Sequence, residues 1–214
     1  MNYLAHLLTA GDDPLLRYGV LLGDHVRGQQ RLTAWPPAVR SGVRLHRAVD
    51  SFTDSHQATA AARAMFAPPF RRYAGIMIDI YFDHLLSRHW DRFGPTGLAV
   101  FAEQTLALMA AYRHLSPTSL RRFEDYARAT RILERYNETA ALQQALAGVG
   151  SRLRRANPLH RAASVLQARD TALETTFLHL FPDVLAFASG WLECPATARP
   201  GQPSIPPRRV PRRR

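Results

Sequence analysis

Three features of the sequence predict an all-α fold: apolar residues recur at three- and four-residue steps, alternating β-branched runs are few, and proline and glycine fall where helices would start and stop. The spacing predicts helices over 2–10, 14–27, 37–53, 55–66, 69–93, 96–115, 119–128, 132–149 and 158–192. The first carries Leu4, Leu7 and Leu8 and stops at Gly11. The second opens at Pro14, with Asp13 before it as a candidate N-cap, and stops at Gly28. The third opens at Pro37 and places Val43, Leu45, Val49 and Phe52 on apolar positions. The fourth follows directly, and the fifth, dense in Ile76, Met77, Ile78, Ile80, Tyr81, Phe82, Leu85 and Leu86, stops at Gly94. Pro95 and Pro117 introduce the sixth and seventh, and Pro158, preceded by Asn157, introduces the last.

The reading is one helical domain over 1–193, followed by a Pro- and Arg-rich segment, 194–214, with too few apolar residues to build a core and therefore predicted disordered. At 214 residues and 46% hydrophobic content the chain is long enough for one domain with a core. All 28 of its cationic Lys/Arg residues are arginine. Six of them follow Cys194, and removing these from a formal net charge of +11 leaves +5 on the remainder, so the body is basic by itself and predicts an acidic partner. Nucleic acid is disfavoured as that partner, because no zinc-finger spacing, RNA-binding aromatic motif or helix-turn-helix signature accompanies the charge. The lone Cys194 allows no intrachain disulfide. Residues 1–10 lack the basic start of a signal peptide, and no window approaches the ~20 apolar residues of a membrane span, so a cytoplasmic protein is expected.

The chemistry-bearing residues cluster in the first ninety positions. His46, Asp50 and Asp54 recur at four-residue steps, one turn apart on a single helix face. Asp79, Asp83 and His84 are embedded in the most apolar helix, where an unpartnered carboxylate is costly, and two aspartates one turn apart suggest a cation. Gly23-Asp24-His25-Val26-Arg27-Gly28 ends an apolar run in an acid, an imidazole and a guanidinium between glycines, a combination suited to phosphate beside a metal. His6 adds an imidazole on an apolar helix. Carboxylate and imidazole donors without thiolate favour Mn²⁺, Mg²⁺ or Fe²⁺ and admit Zn²⁺, while a single cysteine excludes a thiolate zinc site. Each residue also admits an ordinary role: His6 as a core histidine on a carbonyl, Asp24 as a cap or a partner of Arg27, His46 and Asp50 as a simple pair, Asp79 and Asp83 as partners of arginines. His56 and His89 read as structural or exposed, and His114, His160 and His179 have no site role.

These residues lie in motifs by which the sequence resembles the acyl carrier protein phosphodiesterase (acyl carrier protein hydrolase) family: Asn2-Tyr3-Leu4-Ala5-His6-Leu7, Leu22-Gly23-Asp24-His25-Val26-Arg27-Gly28, Leu45-His46-Arg47-Ala48-Val49-Asp50-Ser51-Phe52-Thr53-Asp54, and the run from Asp79 to Trp90. A weaker likeness extends to Ala172–Phe177 and to Phe181-Pro182, so all but the tail is covered. The family looks like a rearranged relative of the helical HD phosphohydrolases. The resemblance implies hydrolysis of the phosphodiester joining 4′-phosphopantetheine to a serine of holo-acyl carrier protein, Mn²⁺ as the usual metal, and a small acidic protein as the partner of the basic body. The chain departs from the family pattern at Leu7-Leu8-Thr9, where a further histidine is common, and at His25, where phenylalanine is common.

The expected metal shell is Asp24, His46, Asp50, Asp83 and His84, with Asp79 and His6 as alternative ligands or groups behind the ligands. Asp24 has a catalytic role in this reading, and Arg27 and Arg47 neutralise charge on the phosphoryl group or, alternatively, orient Asp24 and Asp50. Two other functions use the same residues: an HD-like phosphohydrolase acting on a nucleotide, and a non-catalytic binder of acyl carrier protein or nucleic acid.

Overall fold

The computed structural model describes residues 1–26, 28 and 32–194. Among the described residues it contains α1 (Tyr3–Thr9), α2 (Pro14–Leu22), α3 (Pro37–Ser55), α4 (Gln57–Ala64), α5 (Ala74–Arg88), α6 (Trp90–Phe93), α7 (Leu98–Ala111), α8 (Thr118–Thr130), α9 (Ile132–Arg135), α10 (Thr139–Arg152), α11 (Ala162–Gln167) and α12 (Asp170–Glu193), and no strand. The all-α expectation is met. No helix among the described residues is long and apolar enough to cross a membrane. Arg27 and the expected tail after Cys194 lie outside the described residues.

Local chemistry accounts for several of the helix ends. Asp13 caps α2, its Oδ1 accepting the N–H groups of Leu15 at 2.8 Å and Leu16 at 3.1 Å. Contrary to the expected span 14–27, α2 ends at Leu22. The Gly23 N–H bonds back to the Val20 carbonyl at 3.1 Å, tightening the last turn, and Asp24 and His25 therefore sit on a turn. The expected helices 69–93, 132–149 and 158–192 are each interrupted, at His89, at Tyr136 to Glu138 and at Ala168-Arg169. None of these breaks contains a glycine or proline, so the apolar period runs past them unmarked.

The frame that positions the site is the α2–α3 pair. Leu16 and Gly19 meet Gly42 and Val39, Val20 and Gly23 meet His46, and Val26 meets Arg47, so the two helices run side by side in the same direction. Their backbones touch: a Cβ at Gly42 would lie 2.2 Å from the Leu16 carbonyl oxygen, and one at Gly19 would lie 2.3 Å from that of Val39. Because a backbone atom cannot give way as a side chain can, Gly42→Ala is expected to lower unfolding free energy by about 2 kcal/mol, measured by urea denaturation. An unchanged midpoint would mean that the two helices part at little cost.

Two further contacts fix α12. Phe52 of α3 stacks on Phe187 at 4.5 Å, and Phe177 and Phe181 pack with Phe82 of α5 and Phe93 of α6. Phe82, Phe177 and Phe181 are fully buried, and full burial of such a side chain is worth roughly 1.5–3 kcal/mol. This aromatic core underlies the helices that carry the polar cluster.

Candidate active site

Two helices and one turn bring the cluster together. Asp50 on α3 bridges two imidazoles, with Oδ1 at 3.0 Å from His6 Nε2 and Oδ2 at 3.2 Å from His46 Nε2. Donor atoms of His6, His46 and Asp50 all lie within 4.8 Å of one another. Asp24, on the turn after α2, adds Oδ1 at 3.4 Å from His46 Nε2. The rings of His6 and His46 stack at 3.7 Å, and both residues are buried, whereas Asp24 is largely exposed.

His46 is held from behind. Its Nδ1 is 2.9 Å from the Val20 carbonyl oxygen, which can only accept, so the Nδ1–H donates and the neutral ring presents a bare Nε2 lone pair to the carboxylates of Asp24 and Asp50. Lone pairs facing lone pairs require a cation between them, either a proton or a metal. In the metal-free chain the proton takes that place: burial lowers the His46 pKa, but the hydrogen bonds and charges of Asp24 and Asp50 outweigh it and hold the ring at about 9. Burial raises the Asp50 pKa, yet both imidazoles bring it far below the ordinary carboxylate range. The hydrogen bond from His46 likewise lowers that of Asp24. His6 is pushed down to about 4, first by burial and then by the His46 charge, and its buried Nδ1 has no hydrogen-bond partner among the described residues. Two imidazoles, two carboxylates and no thiolate, with one ring anchored by a backbone carbonyl, fit a divalent cation of the hard-to-borderline type.

The glycine before Asp24 serves this packing. A Cβ on Gly23 would lie 2.2–2.4 Å from atoms of the His46 ring, so the close approach that glycine allows is used by the imidazole. Beyond the cluster, Asp24, Asp50, Asp54 and Asp79 line a cleft of about 250 Å³ with Met1, Asn2, Ile80 and Val149. The Met1 amino group lies 3.0 Å from Asp79 and 3.7 Å from Asp50, and Asp54 pairs with Arg63. Burial raises the Asp79 pKa, opposed by the Met1 ammonium.

The other expected residues fall elsewhere. Asp83 is fully buried and accepts the Leu4 and Ala5 N–H groups at 2.7 and 3.2 Å, capping the start of α1 in place of Asn2, whose side chain makes no capping bond. His84 turns its Nδ1 to the Tyr136 carbonyl at 2.6 Å, away from the cluster. The structure thus does not bring Asp83 and His84 to His6, His46 and Asp50. Arg47 donates from Nη2 to the Val26 carbonyl at 2.6 Å, bracing the turn that carries Asp24. His25 is held by Ser119 Oγ at 2.8 Å and Tyr3 Oη at 3.3 Å, so both ring nitrogens are engaged by hydroxyls.

A second cavity of about 570 Å³ shares Asp24 with this cleft and is lined by Tyr3, Phe123, Tyr126, Tyr136, Arg122 and Arg152 among others. Sequence reasoning missed these guanidiniums, because α8 and α10 are ordinary amphipathic helices and only tertiary structure brings them beside Asp24.

Residues 1–184 match the family described as acyl carrier protein phosphodiesterase. Proteins of that name from Salmonella agona (strain SL483) and Serratia proteamaculans (strain 568) are 36% and 35% identical to the chain. The alignments cover 88% and 86% of this chain and 98% and 96% of the relatives. No solved structure matches the chain.

Proposed function

The chain belongs to the acyl carrier protein phosphodiesterase family, and from that premise we propose that it hydrolyses the phosphodiester between 4′-phosphopantetheine and a serine of holo-acyl carrier protein, with a divalent cation held by His6, His46, Asp50 and Asp24. The observation that carries this reading is the His46 side chain, fixed at Nδ1 by the Val20 carbonyl and aimed at two carboxylates through Nε2. Mn²⁺, the metal that the family resemblance implies, is the first candidate, and the oxygen and imidazole donors also admit Mg²⁺, Fe²⁺ and Zn²⁺. Such an ion supplies Lewis-acid polarisation of the phosphoryl group and acidification of water.

The chain's own residues supply the rest. Asp24 is the exposed member of the cluster and lines both cavities, so it meets the substrate; held ionised by His46, it orients the attacking water. Arg47 keeps Asp24 in place through the turn, and Arg27 is retained as a second cation for the phosphoryl group. Outside the tail, the net charge of +5 favours encounter with an acidic carrier protein. The pairing of histidine and aspartate donors from separate helices supports the HD-phosphohydrolase likeness at the level of donor type.

Incubation with holo-acyl carrier protein and Mn²⁺, followed by intact mass spectrometry, is expected to show loss of one phosphopantetheine, and chelation to prevent it. An unchanged carrier protein, with folded and Mn²⁺-loaded enzyme, would overturn the reading in favour of a nucleotide substrate or of binding alone.

A further inference from the structure

We propose that the 570 Å³ cavity beside Asp24 receives the pantetheine arm of the substrate, and that Gly148 keeps its entrance open. The inference rests on the phosphodiesterase reading and adds the place of the leaving arm. The two cavities share Asn2, Asp24, Ile80 and Val149 but differ in chemistry. One is walled by four aspartates, which suits a cation and repels a phosphate ester lacking one. The other has aromatic and aliphatic walls with a few polar groups and two arginines, at a volume within the roughly 300–1,000 Å³ of small-molecule sites. A phosphodiester that straddles Asp24 therefore has one side on which a neutral, flexible, amide-bearing chain fits.

The wall is already formed. Tyr3 stacks on Phe123 at 3.7 Å, and its hydroxyl is tied through His25 to Ser119, so little ordering is needed when the arm enters. Arg122 and Arg152 are exposed and form no ion pair with a described residue; Arg152 donates from Nε only to the Gly148 carbonyl at 3.1 Å. They stand where a carrier protein, acidic in this reading, would approach with its arm extended.

Gly148 lies within α10, is exposed, and lines this cavity, and a Cβ there would meet nothing within 4 Å. Glycine inside a helix is less favourable than alanine by about 1 kcal/mol, so substitution here does not threaten the fold. Gly148→Trp tests the assignment by filling the cavity, with Gly148→Ala as the control for the helix.

Saturation-transfer NMR with pantetheine and metal-free protein is expected to show transfer for the native chain and Gly148→Ala and none for Gly148→Trp. With Mn²⁺, Gly148→Trp is expected to lose roughly tenfold or more in kcat/KM on holo-acyl carrier protein, mainly through KM, while hydrolysis of bis(p-nitrophenyl) phosphate stays near native. Absence of transfer to the native protein, equal transfer to Gly148→Trp, or an equal loss on both substrates would overturn the proposal. Pantetheine binding blocked by Gly148→Trp, together with native enzyme that leaves holo-acyl carrier protein intact, would instead refute the phosphodiesterase reading and leave the pantetheine site standing.

Discussion

Asp50→Ala is expected to reduce turnover of holo-acyl carrier protein by roughly 10²–10³-fold, the scale on which removal of a group from a charge-stabilising site acts. Both of its oxygens are engaged, one by His6 and one by His46, so the substitution removes the link between two imidazoles as well as a ligand. Asp50→Asn separates the two effects: its amide preserves the shape and one acceptor oxygen but removes the charge that a cation needs. In the proposed centre both variants lose Mn²⁺ affinity, followed by isothermal titration, and retain the helical far-UV spectrum. The exposure of Asp50 explains why the fold survives. Asp50 is half-exposed, and an empty position there admits water, whereas the buried Val43, Leu45 and Val49 hold α3 in the core. Native turnover in a folded Asp50→Ala protein would remove the centre from this cluster.

Half of the cluster was legible because it is local. His46 and Asp50 are one turn apart on one helix, and four-residue spacing states that without any tertiary information. His6 and Asp24 join them only through the packing of α1 and of the turn after α2; the sequence places Asp24 level with Asp83 in the expected shell and His6 below it. A carboxylate inside an apolar helix signals that a strong partner exists; it does not say whether the partner is a cation or a pair of backbone N–H groups. For Asp83 the partner is the start of α1, and for His84 it is a carbonyl released by the break between α9 and α10. That break, like those at His89 and Arg169, has no glycine or proline to announce it. Fold class was readable from the apolar period, whereas the place of Arg122 and Arg152 depends on how distant helices pack.

Asp83→Ala is therefore expected to act on stability, lowering unfolding free energy by about 2–4 kcal/mol in Mn²⁺ and in chelator alike, because two buried N–H groups lose their acceptor. The chain of cause runs on to function: α1 carries His6, and a frayed first turn displaces the imidazole that pairs with Asp50. Activity then falls as a consequence of a loosened helix, and lowering the temperature restores part of it. The ionisation of Asp83 gives a second signature. Burial pushes its pKa up to about 7, against the two N–H groups that favour the carboxylate. An unfolded aspartate titrates near 3.9, so between about pH 4 and pH 7 the folded protein binds a proton that the unfolded chain does not, and this group's contribution to stability falls as pH rises, by at most about 1.4 kcal/mol per pH unit. Asp83→Asn has no such proton, so the stability of the native protein minus that of the variant should decline across this window and level off above it. A flat difference would mean that the α1 N–H groups hold the carboxylate ionised throughout. An Asp83→Ala protein with native melting temperature and lost Mn²⁺ affinity would return Asp83 to the metal shell that the sequence suggested.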